Sequence, residues 1–164
     1  MINTLVSANT NLPVKNRESV LPFRDALSIG EDIPIRSAQD IVTARVRGRA
    51  MAMASSCSVT QGTLVATVIS ELARNIILYA GHGEISLAST KSDLVSGLTI
   101  TALDRGPGIR NIDMALTSGY SSSGGLGLGL PGVRQMADEF EIISNPAEGT
   151  RVTVRMRCGF PEQA

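Results

Sequence analysis

Three segments carry residues whose types and spacing could do chemistry. Glu71 and Asn75 stand four apart in Ser70-Glu71-Leu72-Ala73-Arg74-Asn75. On a helix, that spacing brings both side chains to one point. A carboxamide oxygen there can ligate Mg²⁺, a hard cation that prefers oxygen and keeps several waters. A carboxylate beside it can take the proton of a hydroxyl or water that attacks a phosphate. Taken alone, the pair also reads as an ordinary solvated helix face. Asp104 comes just before Gly106-Pro107-Gly108. A carboxylate at a glycine turn can accept a hydrogen bond from an exocyclic amine such as that of adenine, or can simply close the turn. The third segment, Ser121 to Gly129, is rich in serine and glycine and runs directly into a helix-forming stretch. Its backbone N–H groups can point at phosphate oxygens, helped by the N-terminus of the following helix. A flexible linker is the alternative for this segment alone. It lacks the Gly-Lys-Ser/Thr ending of a Walker loop and is not placed at a first strand–helix turn.

These residues need elements to hold them. Ser58-Val59-Thr60-Gln61 carries a helix-start signal, and the helix it opens runs from about Val59 to Ala80, with Gly81 placed to end it. Its expected buried stripe is Val65, Val68 or Ile69, Leu72, Ile76 and Tyr79. Upstream, Ser37-Ala38-Gln39-Asp40 gives the same signal for a helix whose stripe reads Val42, Val46, Ala50 and Met53, interrupted by Gly48. Ile33-Pro34-Ile35-Arg36 reads as a short edge strand, where proline is tolerated. After the long helix the apolar period changes to two. Glu84–Thr90 and Leu98–Leu103 read as strands joined across Lys91-Ser92-Asp93. Pro131 suits the first turn of a helix with the stripe Val133, Met136, Ala137 and Phe140. Glu141–Ser144 and Arg151–Arg157 read as two last strands around Asn145-Pro146-Ala147-Glu148-Gly149. Helices interleaved with hairpin-connected strands predict an α+β fold: a two-layer sandwich with a mixed or antiparallel sheet and helices packed on one face. Residues 1–33, with scattered asparagine and proline, read as a weakly structured arm with a short helix around Leu21–Leu27, and residues 34–164 as the domain.

At 164 residues the chain is long enough for one domain with a proper core. Lysine plus arginine equals aspartate plus glutamate at 15 each. This balance gives no electrostatic reason to expect nucleic acid or an anionic membrane as partner. Aromatic residues make up 3% of the chain, too few to suggest a base-stacking platform. Arg45, Arg47 and Arg49 read as a solvated helix face, or as one that meets an acidic partner. His82 reads as an exposed turn residue. Cys57 and Cys158, far apart and in no metal-ligand spacing, read as two reduced structural thiols. No secretory signal and no long apolar run is apparent, so a soluble cytoplasmic protein is expected.

Together the motifs resemble the GHKL (Bergerat-fold) ATP-binding superfamily. Glu71 and Asn75 match its N box, Asp104-x-Gly106-x-Gly108 its first glycine box, Gly125-x-Gly127-x-Gly129 its lid box, and Gly149-Thr150 its last box. The likeness spans about residues 33–157. The ungapped run Gly119-Tyr120-Ser121-Ser122-Ser123-Gly124-Gly125-Leu126-Gly127-Leu128-Gly129-Leu130-Pro131-Gly132-Val133, with Asp138-Glu139-Phe140, narrows it to RsbT-type serine/threonine switch kinases of the anti-sigma regulatory group. That resemblance implies transfer of the γ-phosphoryl of ATP, with Mg²⁺, to a serine or threonine of a STAS-domain antagonist. It further implies release from a stressosome-type complex to act on a PP2C-type phosphatase or similar effector. Glu71 would be the catalytic base and Asn75 the Mg²⁺ ligand. Asp104, with Gly106 and Gly108, would hold the adenine, and Thr150 would lie near it. Ser123, Gly124, Gly125, Leu126, Gly127, Leu128 and Gly129 would hold the phosphates.

Two other functions fit some of the same boxes. One is an anti-sigma factor that binds a sigma subunit in a nucleotide-dependent manner. The other, a histidine-kinase catalytic domain, is disfavoured because the sole histidine lies in a turn. The arm is longer than is usual in the family and bears on the partner complex more than on the chemistry.

Overall fold

The computed structural model describes residues 28–91, 96–117 and 128–158. Their elements are β1 (Ser28–Ile35), α1 (Ala38–Ala54), α2 (Val59–Ala80), β2 (Gly83–Lys91), β3 (Ser96–Asp104), α3 (Ile112–Ala115), α4 (Gly129–Met136), β4 (Glu139–Asn145) and β5 (Gly149–Cys158). The strands form one five-stranded sheet in the order β1-β2-β3-β5-β4. Every pairing is antiparallel, so the antiparallel alternative is the one realised. β1 is an edge strand that carries Pro34, and it begins at Ser28, inside the stretch read as arm. Residues 1–27, including the short helix expected around Leu21–Leu27, lie outside the described residues, as does the β2–β3 connection at 92–95.

Both long helices start as capping boxes. Ser37 and Asp40 exchange hydrogen bonds at α1, and Ser58 and Gln61 do so at α2. At α1 the Arg36 N–H and the Ser37 hydroxyl donate to Asp40 and hold its carboxyl below the ordinary aspartate range. α2 ends at Gly81, which adopts φ +78°.

α2 is the central core helix. Val65, Val68, Ile69, Leu72 and Ile76 are buried along it. By length and composition it is also apolar enough to cross a membrane, which corrects the expectation of no such run; here its apolar face packs inside the domain. Against it the sheet presents one apolar row crossing all five strands, in which Ile33 pairs with Ile85, Ile85 with Ala102, Ala102 with Val152 and Val152 with Ile142. Removing such rows from water is the main driving force for the fold.

Three expected stripes need correction. α1 buries Ala44, Gly48 and Ala52, while Val42, Val46 and Met53 are 40, 59 and 44% exposed. The small residues win because α1 lies close on α2: a Cβ on Gly48 would collide with Ile69 Cδ1. Gly48 is therefore a packing point, not an interruption. Tyr79, expected in the core, is 50% exposed near the end of α2. Phe140, expected on the last helix, lies in β4. α4 stops at Met136 because the chain is captured by the sheet edge: the Asp138 N–H donates to the Arg155 carbonyl, and the Asp138 carboxylate accepts the Arg157 N–H at 2.6 Å. The short helix α3, capped by Asn111, was not expected.

The reading of two reduced thiols is also corrected. Cys57 and Cys158, 101 residues apart, form a disulfide with a Cα–Cα distance of 4.4 Å. Spacing along the chain could not show this. The fold brings the turn before α2 to the end of β5, where Gln61 Nε2 also donates to the Arg157 carbonyl at 3.0 Å. Disulfides typically contribute about 2–4 kcal/mol, and loop closure over about 100 residues sets an upper figure of about 4.7 kcal/mol. Reduction, or the double change Cys57→Ser and Cys158→Ser, is therefore expected to lower the thermal midpoint by roughly 5–15 °C. Identical melting curves with and without reductant would show that the bond contributes nothing.

Candidate functional site

The site begins where the core stripe of the sheet changes from apolar to polar. Side chains two apart on a strand share a face. On β3, Leu98, Ile100 and Ala102 are followed on that face by Asp104; on β5, Met156, Val154 and Val152 by Thr150; on β4, Ile142 by Ser144. In register, Gly83 pairs with Asp104, Asp104 with Thr150, and Thr150 with Ser144. The result is a polar row at one end of the sheet, on the side covered by helices. A Cβ placed on Gly83 would touch Ile76 Cγ2 of α2 at 2.8 Å and Asp104 Cβ at 3.3 Å.

Hydrogen bonds tie this row to the glycine turn. Asp104 Oδ1 accepts the Gly106 N–H at 2.8 Å. The turn reading of Asp104 thus holds for one carboxylate oxygen. Ser144 Oγ accepts the Ile109 N–H at 2.8 Å, lies 2.8 Å from Thr150 Oγ1, and donates to the Gly149 carbonyl at 3.2 Å. Gly106 sits against the end of α2, where an added Cβ would come within 2.7 Å of Ala80 Cβ. Gly108, at φ +73°, lies against the Asn145 carbonyl, and the Ala147 N–H donates to the Pro107 carbonyl at 3.2 Å. The turn is therefore held between the end of α2 and the β4–β5 connection.

The second wall comes from α2 and the start of α4. Glu71 is 8% exposed. A buried carboxylate requires partners, and it has one on each oxygen. Arg74 Nη1 donates to Oε1 at 2.8 Å, and the Gly129 N–H donates to Oε2 at 3.1 Å. Gly129 is the first residue of α4, and no side chain of the adjoining Leu128 caps that helix. Glu71 supplies the cap from across the site, so an anionic group is already seated at the α4 N-terminus. Asn75, one turn further along α2, is half-buried.

The structure thus places Glu71, Asn75, Asp104, Gly106, Gly108, Gly129 and Thr150 around the junction of α2, the sheet end and α4. Leu128 is exposed at the mouth of α4. Ser123, Gly124, Gly125, Leu126 and Gly127 lie outside the described residues. His82 is exposed in its turn. Arg45, Arg47 and Arg49 are exposed on α1, where Arg47 pairs with Glu31 of β1. Two residues acquire importance that sequence reasoning did not give them. Ser144 is a buried hydroxyl joining the glycine turn to β5; its signal was a polar residue continuing the inward alternation of β4 after Ile142. Arg74 holds Glu71; its signal was the three-residue spacing on the same helix.

Among the described residues no cluster of His, Cys, Asp or Glu forms a metal cage.

Comparison with known proteins places this arrangement in a family. A 120-residue segment, 73% of this chain, is 44% identical to the serine/threonine-protein kinase RsbT of Bacillus subtilis (strain 168) and covers 90% of that protein. An anti-sigma F factor of Thermoanaerobacter sp. (strain X514) is 28% identical over 100 residues, 58% of this chain and 69% of that one. The solved mycobacterial sensor histidine kinase MprB aligns over 79% of this chain and 98% of its own, with a TM-score of 0.47 and 13% identity. Residues 60–159 match the histidine kinase-, DNA gyrase B- and HSP90-like ATPases, and the chain belongs to that family.

Proposed function

We propose that the protein is an ATP-dependent protein serine/threonine kinase of a partner-switching module. The observation that carries this reading is the Glu71 carboxylate, buried yet aimed at the N-terminus of α4, in a chain 44% identical to RsbT. ATP supplies the γ-phosphoryl group. Asp104 and Thr150 hold its adenine, with Asp104 Oδ2 accepting from the exocyclic amine while Oδ1 keeps the glycine turn closed. The segment Ser123–Gly129 and the start of α4 hold its phosphates. Asn75 lends its carboxamide oxygen to the Mg²⁺ that accompanies them. Glu71 takes the proton of the attacking serine or threonine hydroxyl as its oxygen bonds to the γ-phosphorus, while the bond from that phosphorus to the bridging oxygen breaks and ADP leaves with the electron pair. Phosphoryl transfer asks mainly for such positioning and charge neutralisation. The substrate is a STAS-domain antagonist or scaffold. Its phosphorylation frees the kinase from a stressosome-type complex to engage a PP2C-type phosphatase or other effector.

The adenine role of Asp104 has its own test. Asp104→Asn keeps an oxygen for the Gly106 N–H but turns a donor toward the adenine amine. ATP affinity is expected to fall about 10- to 100-fold, the weight of a lost charge-assisted hydrogen bond, with the thermal midpoint nearly unchanged. Calorimetric titration giving equal affinities for the two proteins would remove Asp104 from adenine recognition.

Likeness to anti-sigma F factors favours a second reading, in which nucleotide sets the shape of a protein that captures a sigma subunit. A pull-down with the nucleotide-loaded protein separates the two. Retention of STAS proteins, without sigma factors, is the expected result; retention of a sigma factor alone would favour the second reading.

A further inference from the structure

We propose that Arg74 is a positioning residue for Glu71, fixing the carboxylate in the orientation from which it acts. The inference rests on reading Glu71 as the base. Glu71 reaches a buried position while its neighbour three residues on, Arg74, keeps a side chain 49% exposed. An exposed ion pair at this helix spacing contributes little. Here the two partners differ: one is a solvated cation and the other a carboxylate removed from water. The Arg74 guanidinium takes Oε1 at 2.8 Å, and the Gly129 N–H takes Oε2 at 3.1 Å. Two donors on two different oxygens fix both the direction and the plane of the carboxylate.

The donor on Oε2 is a backbone N–H at the first residue of α4, a separate element from α2. Arg74 is anchored in the same helix as Glu71. Its hold on Oε1 therefore persists whatever occupies the α4 N-terminus. When the phosphates of a nucleotide compete for the Gly129 N–H, Oε2 is released toward the substrate hydroxyl while Oε1 stays tethered. Without Arg74 the freed carboxylate is no longer confined to one rotamer, and small displacements of a reacting group are costly.

The test is a double-mutant cycle on the full chain with Arg74→Met, Glu71→Gln and the double variant, after thermal melts confirm that each folds. Arg74→Met is expected to lower kcat about 10- to 100-fold with ATP affinity held within about twofold, since the residue places Glu71 and does not bind the nucleotide. Arg74→Lys should recover part of that loss. The double variant should be no slower than Glu71→Gln, because Arg74 acts through Glu71. Additive losses would overturn the proposal and place Arg74 on the transferring phosphoryl itself. An unchanged kcat, or a loss confined to ATP affinity, would also overturn it.

A second readout needs no kinase activity. In the nucleotide-free protein, Arg74→Met should speed hydrogen exchange at the Gly129 amide, because the carboxylate that accepts from it becomes mobile. Unchanged exchange would refute the positioning role. If Glu71→Gln retains full transfer, the base reading fails, and this exchange measurement still decides whether Arg74 orients Glu71.

Discussion

Glu71→Gln lowers phosphoryl transfer about 10²- to 10⁴-fold, the usual weight of a general base, while nucleotide still binds. Glutamine keeps the shape of the side chain but loses the acceptor that a proton needs. It also changes the local hydrogen bonding. In the native chain both carboxylate oxygens accept, one from Arg74 and one from Gly129. The amide of glutamine has one oxygen, so its NH₂ must face one of those two donors. A stability loss of about 1–3 kcal/mol accompanies the change, the cost of a buried donor left without an acceptor. The two effects separate cleanly: a thermal melt reads the second, and single-turnover transfer with nucleotide in excess reads the first. A folded Glu71→Gln protein that transfers phosphoryl at the native rate would remove Glu71 from the chemistry.

Gly149→Ala is expected to damage the site through its backbone. Gly149 opens β5 at φ +108°, a region that L-residues occupy at a cost of about 1–3 kcal/mol. A Cβ there would also collide with the Asp104 carbonyl oxygen and approach Arg105 Cα to 2.7 Å. The β4–β5 connection must then move away from β3, which separates Thr150 from Asp104 and strains the Ser144 bonds to Gly149 and Thr150. We expect a total loss of about 3 kcal/mol or more, a fall in thermal midpoint of roughly 10 °C, and ATP binding weakened about 100-fold. Gly81→Ala is the control. Gly81 also has positive φ, but a Cβ there meets nothing within 4 Å. It should cost only about 1 kcal/mol and leave ATP affinity intact. Equal effects from the two substitutions would show that contact with Asp104 is not what Gly149 protects.

Much of the fold was legible because local signals and tertiary structure agree. The hydroxyl-capped starts at Ser37 and Ser58 and the stop at Gly81 are set by a few neighbouring residues. The period-two stripes of β3 and β5 carry straight into the structure, since alternate residues face the helices and are buried there. The family was legible for a related reason: its boxes are short, local and ordered along the chain.

What failed depended on distant contacts. Apolar periodicity ranked Val42, Val46 and Met53 above Ala44, Gly48 and Ala52, yet close helix packing rewards small residues. Nothing near Cys57 signals the end of β5. Phe140 followed a helical count, but sheet pairing at Asp138 took it. In the site, Ser144 needed one more step of the same alternation that found Ile142, together with the register that sets it beside Thr150. Arg74 was visible only as part of a motif until the burial of Glu71 gave it a task.

The measurement that bears most directly on the account is transfer of label from γ-labelled ATP, with Mg²⁺, to a STAS-domain protein, followed by identification of the labelled residue. We expect phosphoserine or phosphothreonine on the STAS protein, formed by the native chain and lost with Glu71→Gln. A native chain that binds ATP in the same solution yet leaves every STAS candidate unlabelled, while retaining a sigma factor, would contradict it.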